Sequence, residues 1–100
     1  MVTSIKLSAA ARADLVDIRK FSNDQFSAIV ANSYFMGFDE VFDLLRRHPR
    51  AGAAKPDFGK DIRCAVHRKH RVFYQFDGEV VLILRVIHYA RNAKRELKRD

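Results

Sequence analysis

Histidines, clustered cations and a broad aromatic stripe are the side chains of this 100-residue sequence that have chemistry to offer. His67 and His70 stand at a metal-like interval, but no third and fourth ligand accompanies them at any expected spacing, so they are assigned to a turn between strands. The cluster Arg68-Lys69-His70-Arg71 is able to meet a nucleic-acid backbone. It carries no base-reading signature, and its first reading is a complement to acidic residues of a protein partner. Lys55, Asp57, Lys60 and Asp61 follow no spacing that marks a site. Cys64 is the only cysteine; with no catalytic partner in view it reads as a small core residue, and a single thiol, which forms no internal disulfide, fits a reducing cytosol. Tyr34, Phe35, Phe38 and Phe42 are core by default. Their stripe is wider than one neighbour can cover, which singles out Phe35 and Phe42 as candidate lining of a groove for a partner.

Charge sharpens the search for that partner. Nineteen Lys and Arg against twelve Asp and Glu give a formal charge of +7. Residues 1–50 hold seven basic and six acidic groups, residues 51–100 twelve and six. The positive field thus belongs to the second half, and it implies an anionic partner, nucleic acid or an acidic protein segment, unless it serves only solubility. Hydrophobic residues make up 48% of the chain, which excludes a disordered tail and is enough for the core of one domain spanning residues 1–100. The start lacks a continuous apolar stretch, and no run is long enough to span a bilayer, so export and membrane insertion are disfavoured.

The elements that must position these groups follow from periodicity. Residues 2–7 read as a short strand. Ser8 offers an N-cap to a first helix, on which Ala11, Leu15, Ile18 and Phe21 recur at helical spacing. The polar run Ser22-Asn23-Asp24-Gln25 is expected to break it. A second helix follows over residues 26–48, stopped by Pro49 and Gly52. Residues 49–60 form a loop; then the period changes to two, and residues 62–66, 72–76 and 80–87 read as three strands.

Asp77-Gly78 predicts a two-residue hairpin turn, which would set residue i opposite residue 155 minus i. By that parity Val72, Tyr74, Phe76, Val81, Ile83 and Ile87 share one face. Phe73, Val80, Leu82, Leu84 and Val86 share the other, with Arg71 and His88 at its ends. Both faces are apolar, whereas two helices joined by a tight turn cover only one. A partner segment, a second subunit, or a strong twist curling the sheet on itself must account for the second face. Residues 90–100 form a short basic helix or a frayed tail. The fold class is α+β: an N-terminal strand, a helical hairpin, a three-stranded antiparallel meander and a short basic C-terminal segment.

Several segments carry a family likeness: the start IKLSAAARADLVDI, the second-helix run ANSYFMGFDEVFDLLRRHPRAG, the isolated Arg63 opening a strand, HRVFYQF in the third strand and ILRVIHYARN in the fourth. In this order and spacing, over residues 5 to 92, the chain resembles the ParE branch of the ParE and RelE toxin superfamily. The resemblance implies a cytosolic bacterial toxin without a cofactor or metal. It would be silenced by an antitoxin of the ParD kind, with a ribbon-helix-helix DNA-binding part and a C-terminal segment that wraps the toxin. Operator DNA would be reached only through that antitoxin, and DNA gyrase is the expected target of the free toxin. Leu15, Ile18, Phe35, Phe42, Arg63, Arg68, Arg71 and Arg85 are the residues expected to meet the antitoxin, and Arg91, Lys94 and Arg95 those expected to meet the target.

RelE-like and YoeB-like members of the superfamily cleave messenger RNA on the ribosome, which needs a base, cations for the pentavalent phosphate and an acid. Arg71 stands where those nucleases keep a phosphate-stabilising Arg, and His88-Tyr89 resemble their closing His-Tyr pair. The strand IRCAVH, however, lacks the paired lysines of the RelE-like enzymes and the Glu of the YoeB-like ones. Non-catalytic binding is therefore the expectation, with RNA cleavage by Arg71, His88 and Tyr89, or an inactive antitoxin-binding module, as the alternatives.

Overall fold

A computed structural model describes residues 3–97. The chain runs β1 (Ser4–Leu7), α1 (Ala9–Gln25), α2 (Ala28–Arg47), β2 (Ala53–Ala54), a 3-10 turn (Pro56–Phe58), β3 (Ile62–His67), β4 (His70–Phe76), β5 (Val80–His88) and α3 (Ala93–Leu97). The strands form one sheet in the order β1-β5-β4-β3-β2. β1 runs parallel to β5 and every other pairing is antiparallel, so the sheet is mixed. The expected strand over 2–7 begins at Ser4, Val2 lying outside the described residues. Residues 98–100 of the expected basic segment lie outside them too.

Ser8 caps α1 as its position predicts, accepting the Ala11 amide at 3.0 Å. The run Ser22–Gln25 does not break the helix. Ser22 turns inward and is buried, and the turn comes one step later, where Phe26 is extended and Ser27 caps α2 through the Val30 amide. The loop after α2 contains a two-residue edge strand that alternation had no length to reveal. Buried Tyr74 pins this loop, its hydroxyl donating to the Pro49 carbonyl at 2.7 Å and accepting the Gly52 amide at 2.9 Å.

The meander differs from the predicted register in two places. The last pair before the turn is Phe76 with Val81, so the loop holds four residues. The Asp77 carboxylate accepts both the Glu79 and Val80 amides at 2.8 Å and closes this wider loop, and only Gly78 takes a positive φ, where a two-residue turn of the expected type needs two. The second difference is a bulge at Leu84: Tyr74 pairs with Ile83, but Phe73 pairs with Arg85. An extra residue in one strand reverses the faces beyond it. Val86 therefore joins Val72, Tyr74, Val81 and Ile83 beneath the helices, while Ile87 joins Phe73, Ile62 and Cys64 on the opposite face.

The bulge survives because α1 satisfies the backbone groups it leaves over. Ser8 Oγ donates to the Leu84 carbonyl at 2.8 Å, and Asp14 accepts the Val86 amide at 2.9 Å. The face opposite the helices, expected to need outside cover, is largely covered by the chain itself, with Val66 at its edge left 64% exposed. Phe58 of the 3-10 turn stacks on Phe73 with ring centroids 5.0 Å apart, and Ala93 and Leu97 of α3 pack beside them.

Candidate functional site

With most of both sheet faces covered, open apolar surface is concentrated on the helical hairpin. The apolar stripe of α1 puts Ala11 in the core and packs Leu15 and Ile18 against it. Val16, one residue off that stripe, is 54% exposed. Together with Phe35 of α2, Leu15 and Val16 line a shallow depression of about 250 Å³ whose rim carries Arg19 and Lys20. Arg19 spans the two helices, donating to Asn32 Oδ1 at 2.8 Å and lying 4.9 Å over the Phe35 ring. Ile29 and Met36 of α2 are also exposed, at 81% and 64%. The result is an apolar trough with a cationic lip, shaped for an amphipathic segment with acidic residues along one edge.

Of the residues expected to line such a groove, the structure brings Leu15 and Phe35 together. Phe42 is buried in the core and does not reach the groove. Ile18 packs against the same core. Val16, Arg19 and Lys20 escaped sequence reading; an apolar residue just off the helical stripe was the available signal.

The cations are held by the chain itself. Arg63 Nη1 donates to the Arg50 and Gly52 carbonyls at 3.1 and 2.7 Å and so braces the loop after α2. Arg85 grips Asp14 with two parallel bonds of 2.7 and 2.9 Å and reaches the Glu96 carbonyl at 3.2 Å. Glu96 also pairs with Arg91. This charged chain ties β5 to α1 and α3, with Arg85, Asp14 and Glu96 each under 15% exposed. Lys94 pairs with Asp57 at 3.2 Å across the covered face, and that ammonium holds the Asp57 carboxyl below the usual carboxylate range. Arg95 is exposed on α3. Arg68 sits at a positive φ in the β3–β4 turn with its guanidinium 5.8 Å from the Tyr34 ring.

The residues considered for RNA cleavage do not converge. His70, not Arg71, pairs across from His88; the parity that put Arg71 and His88 on one face fails because of the Leu84 bulge. Arg71 lies over Phe73, 5.5 Å from its ring centroid, and Nη2 donates to the Tyr89 and Arg91 carbonyls at 3.3 and 3.0 Å. His88 stacks on exposed Tyr89, and its Nδ1 accepts the Ala90 amide at 3.1 Å.

His67 and His70 are not turn residues; they end β3 and begin β4 as a pair, facing α2. His70 Nδ1 lies 2.6 Å from the Tyr34 hydroxyl, and burial, then the neighbouring His88 and His67, push its pKa down to about 4. Cys64 is buried, and burial raises its thiol pKa. Among the described residues no group of three or more His, Cys, Asp or Glu is arranged to hold a metal, and no helix is long and apolar enough to cross a membrane.

The described residues form a small α+β domain with an open groove on its helical hairpin and a sheet largely covered on both faces. The chain belongs to the ParE toxin family of type II toxin–antitoxin systems, whose family model matches residues 5–93. It is 30% identical over 92 residues to Toxin ParE1 of Caulobacter vibrioides, covering 92% of this chain and 95% of that one. Its fold is similar to a chain of the chromosomal ParDE system from P. aeruginosa, with TM-score 0.74, 20% identity, and 87% and 96% of the two chains covered. It is also similar to a chain of the RelBE2 toxin–antitoxin complex from Mycobacterium tuberculosis, with TM-score 0.62, 22% identity, and 88% and 99% covered.

Proposed function

We propose that this ParE-type toxin works in the bacterial cytosol as one domain, is neutralised by a ParD-like antitoxin whose acidic amphipathic segment fills the hairpin groove, and when free inhibits DNA gyrase. The observation that carries the reading is the trough of Leu15, Val16 and Phe35 beneath Arg19 and Lys20, left open while the chain covers its own sheet. Operator DNA is reached through the ribbon-helix-helix part of the antitoxin. Exposed Arg95, with Arg91 and Lys94, gives the C-terminal segment its positive field toward the target.

One observation favours a second reading, ribosome-dependent cleavage of messenger RNA. Exposed Tyr89 is bonded through its amide to the Lys69 carbonyl, which sets an aromatic ring beside the basic turn. Against it stand the separate faces of Arg71 and His88. Expressing the chain in cells without antitoxin while following chromosome integrity and mRNA integrity separates the readings. Double-strand breaks with intact mRNA support gyrase inhibition. Codon-sized mRNA cuts abolished by Arg71→Ala and His88→Ala support cleavage. No growth defect supports an inactive antitoxin-binding module.

A further inference from the structure

At the end of the meander, α2 is fastened to the β3–β4 turn by three side chains that the toxin reading does not use. The His67 ring fills the notch opposite Gly37, where an added Cβ would meet it at 2.0 Å. Its Nε2 lies 2.8 Å from the Tyr34 carbonyl; a carbonyl only accepts, so this nitrogen carries a proton. The Tyr34 hydroxyl lies 2.6 Å from His70 Nδ1 and can donate its proton there. That arrangement requires a neutral His70 with its proton on Nε2.

We propose that Tyr34, His67 and His70 form an acid-released latch between α2 and the β3–β4 turn, closed while His70 is neutral and opened when it takes up a proton. A protonated His70 carries hydrogen on both ring nitrogens. Its Nδ1 no longer accepts, so the Tyr34 proton loses its acceptor. The new charge also lies in a hostile setting. His67 faces it from β3 and His88 from β5, with ring centroids of His70 and His88 5.2 Å apart. Phe38 and Tyr34 face it from α2, and Arg68 and Lys69 stand in the turn beside it, with Arg71 next in sequence on the other face. Asp14 of α1 is the carboxylate that acts on it favourably. Burial first, then His88 and His67, gives His70 its low proton affinity. Because the Phe38 ring touches both His70 and Phe35, at 5.8 and 5.9 Å, opening also loosens one wall of the hairpin groove.

The latch does not depend on the identity of any partner, and the free full-length chain is enough to test it. Histidine NMR titration from pH 7.5 to 3.5, with amide hydrogen exchange corrected for the intrinsic pH dependence, reads both halves of the proposal. The expected result is a His70 that holds its proton on Nε2 at neutral pH. As it titrates, exchange in the α2 turn around Tyr34 and Phe38 should rise at least tenfold while the β4 and β5 amides stay protected. In His70→Gln, whose amide oxygen still accepts from Tyr34 but does not titrate, this pH-dependent rise should vanish, with circular dichroism reporting the fold. If that variant does not fold, Tyr34→Phe is read instead, and in it His70 should titrate closer to its ordinary value with no linked change in α2. The latch is overturned if α2 exchange ignores the His70 titration, if the sheet opens together with α2, or if a folded His70→Gln keeps the transition.

Discussion

Replacing Gly37 with alanine sets two effects of opposite sign against each other. Gly37 lies inside α2, where alanine at an open position stabilises a helix by about 1 kcal/mol. Here the new methyl would meet the His67 ring at 2.0, 2.4 and 2.8 Å from three of its atoms, so the ring must leave. Its departure breaks the bond to the Tyr34 carbonyl, about 1 kcal/mol. It also removes ring contacts to Tyr34 and Phe38, at 4.8 and 4.7 Å between centroids, each about 0.5–1.5 kcal/mol. The loss exceeds the gain, and Gly37→Ala should be less stable than the parent by about 1–3 kcal/mol, or about 5–20 °C in Tm for a domain of this size. Urea unfolding followed by circular dichroism measures it. A variant as stable as the parent, or more so, would refute the reasoning, because the notch would then have no occupant worth keeping.

Other outcomes follow from the same geometry. Asp14→Ala takes from Arg85 its two-bond partner, leaving it Glu96, and leaves the Val86 amide at the bulge without its acceptor; it should cost about 2–4 kcal/mol in urea unfolding, with chemical shifts of Leu84 to Val86 moving most. Tyr74→Phe leaves the Gly52 amide and the Pro49 carbonyl without their shared partner, and should lower stability by about 1–3 kcal/mol on the same assay. Val16→Glu places a carboxylate in the apolar trough at an exposed position; it should leave Tm within a few degrees of the parent and weaken antitoxin binding by calorimetry about tenfold or more. His70 has a folded pKa below its ordinary value of 6.5, so the unfolded chain binds its proton first as pH falls. Its contribution should therefore be lost between about pH 6.5 and 4, by about 1–2 kcal/mol once the ring's partial access to water is allowed for. That slope should be missing from His70→Gln.

Sequence alone determined whatever is decided by neighbours along the chain. The Ser8 cap, the helical stripe through Ala11 and Leu15, the change of period after Gly59 and the stop at Pro49 each rest on a few adjacent residues, and each leaves a local pattern. The ordered motifs from IKLSAAARADLVDI to ILRVIHYARN carried the family in the same way. Long-range pairing decided the rest. The bulge at Leu84 exists because Ser8 and Asp14, 76 residues from Leu84 and 72 from Val86, take up the carbonyl and amide it leaves over. Nothing within β5 announces it, yet it moves Val86 under the helices and parts His88 from Arg71. Most of the second sheet face was covered by Phe58, Ala93 and Leu97, in segments too short for periodicity to mark as packing elements. Alternation counts residues within one strand, and it has no term for a side chain arriving from elsewhere in the fold.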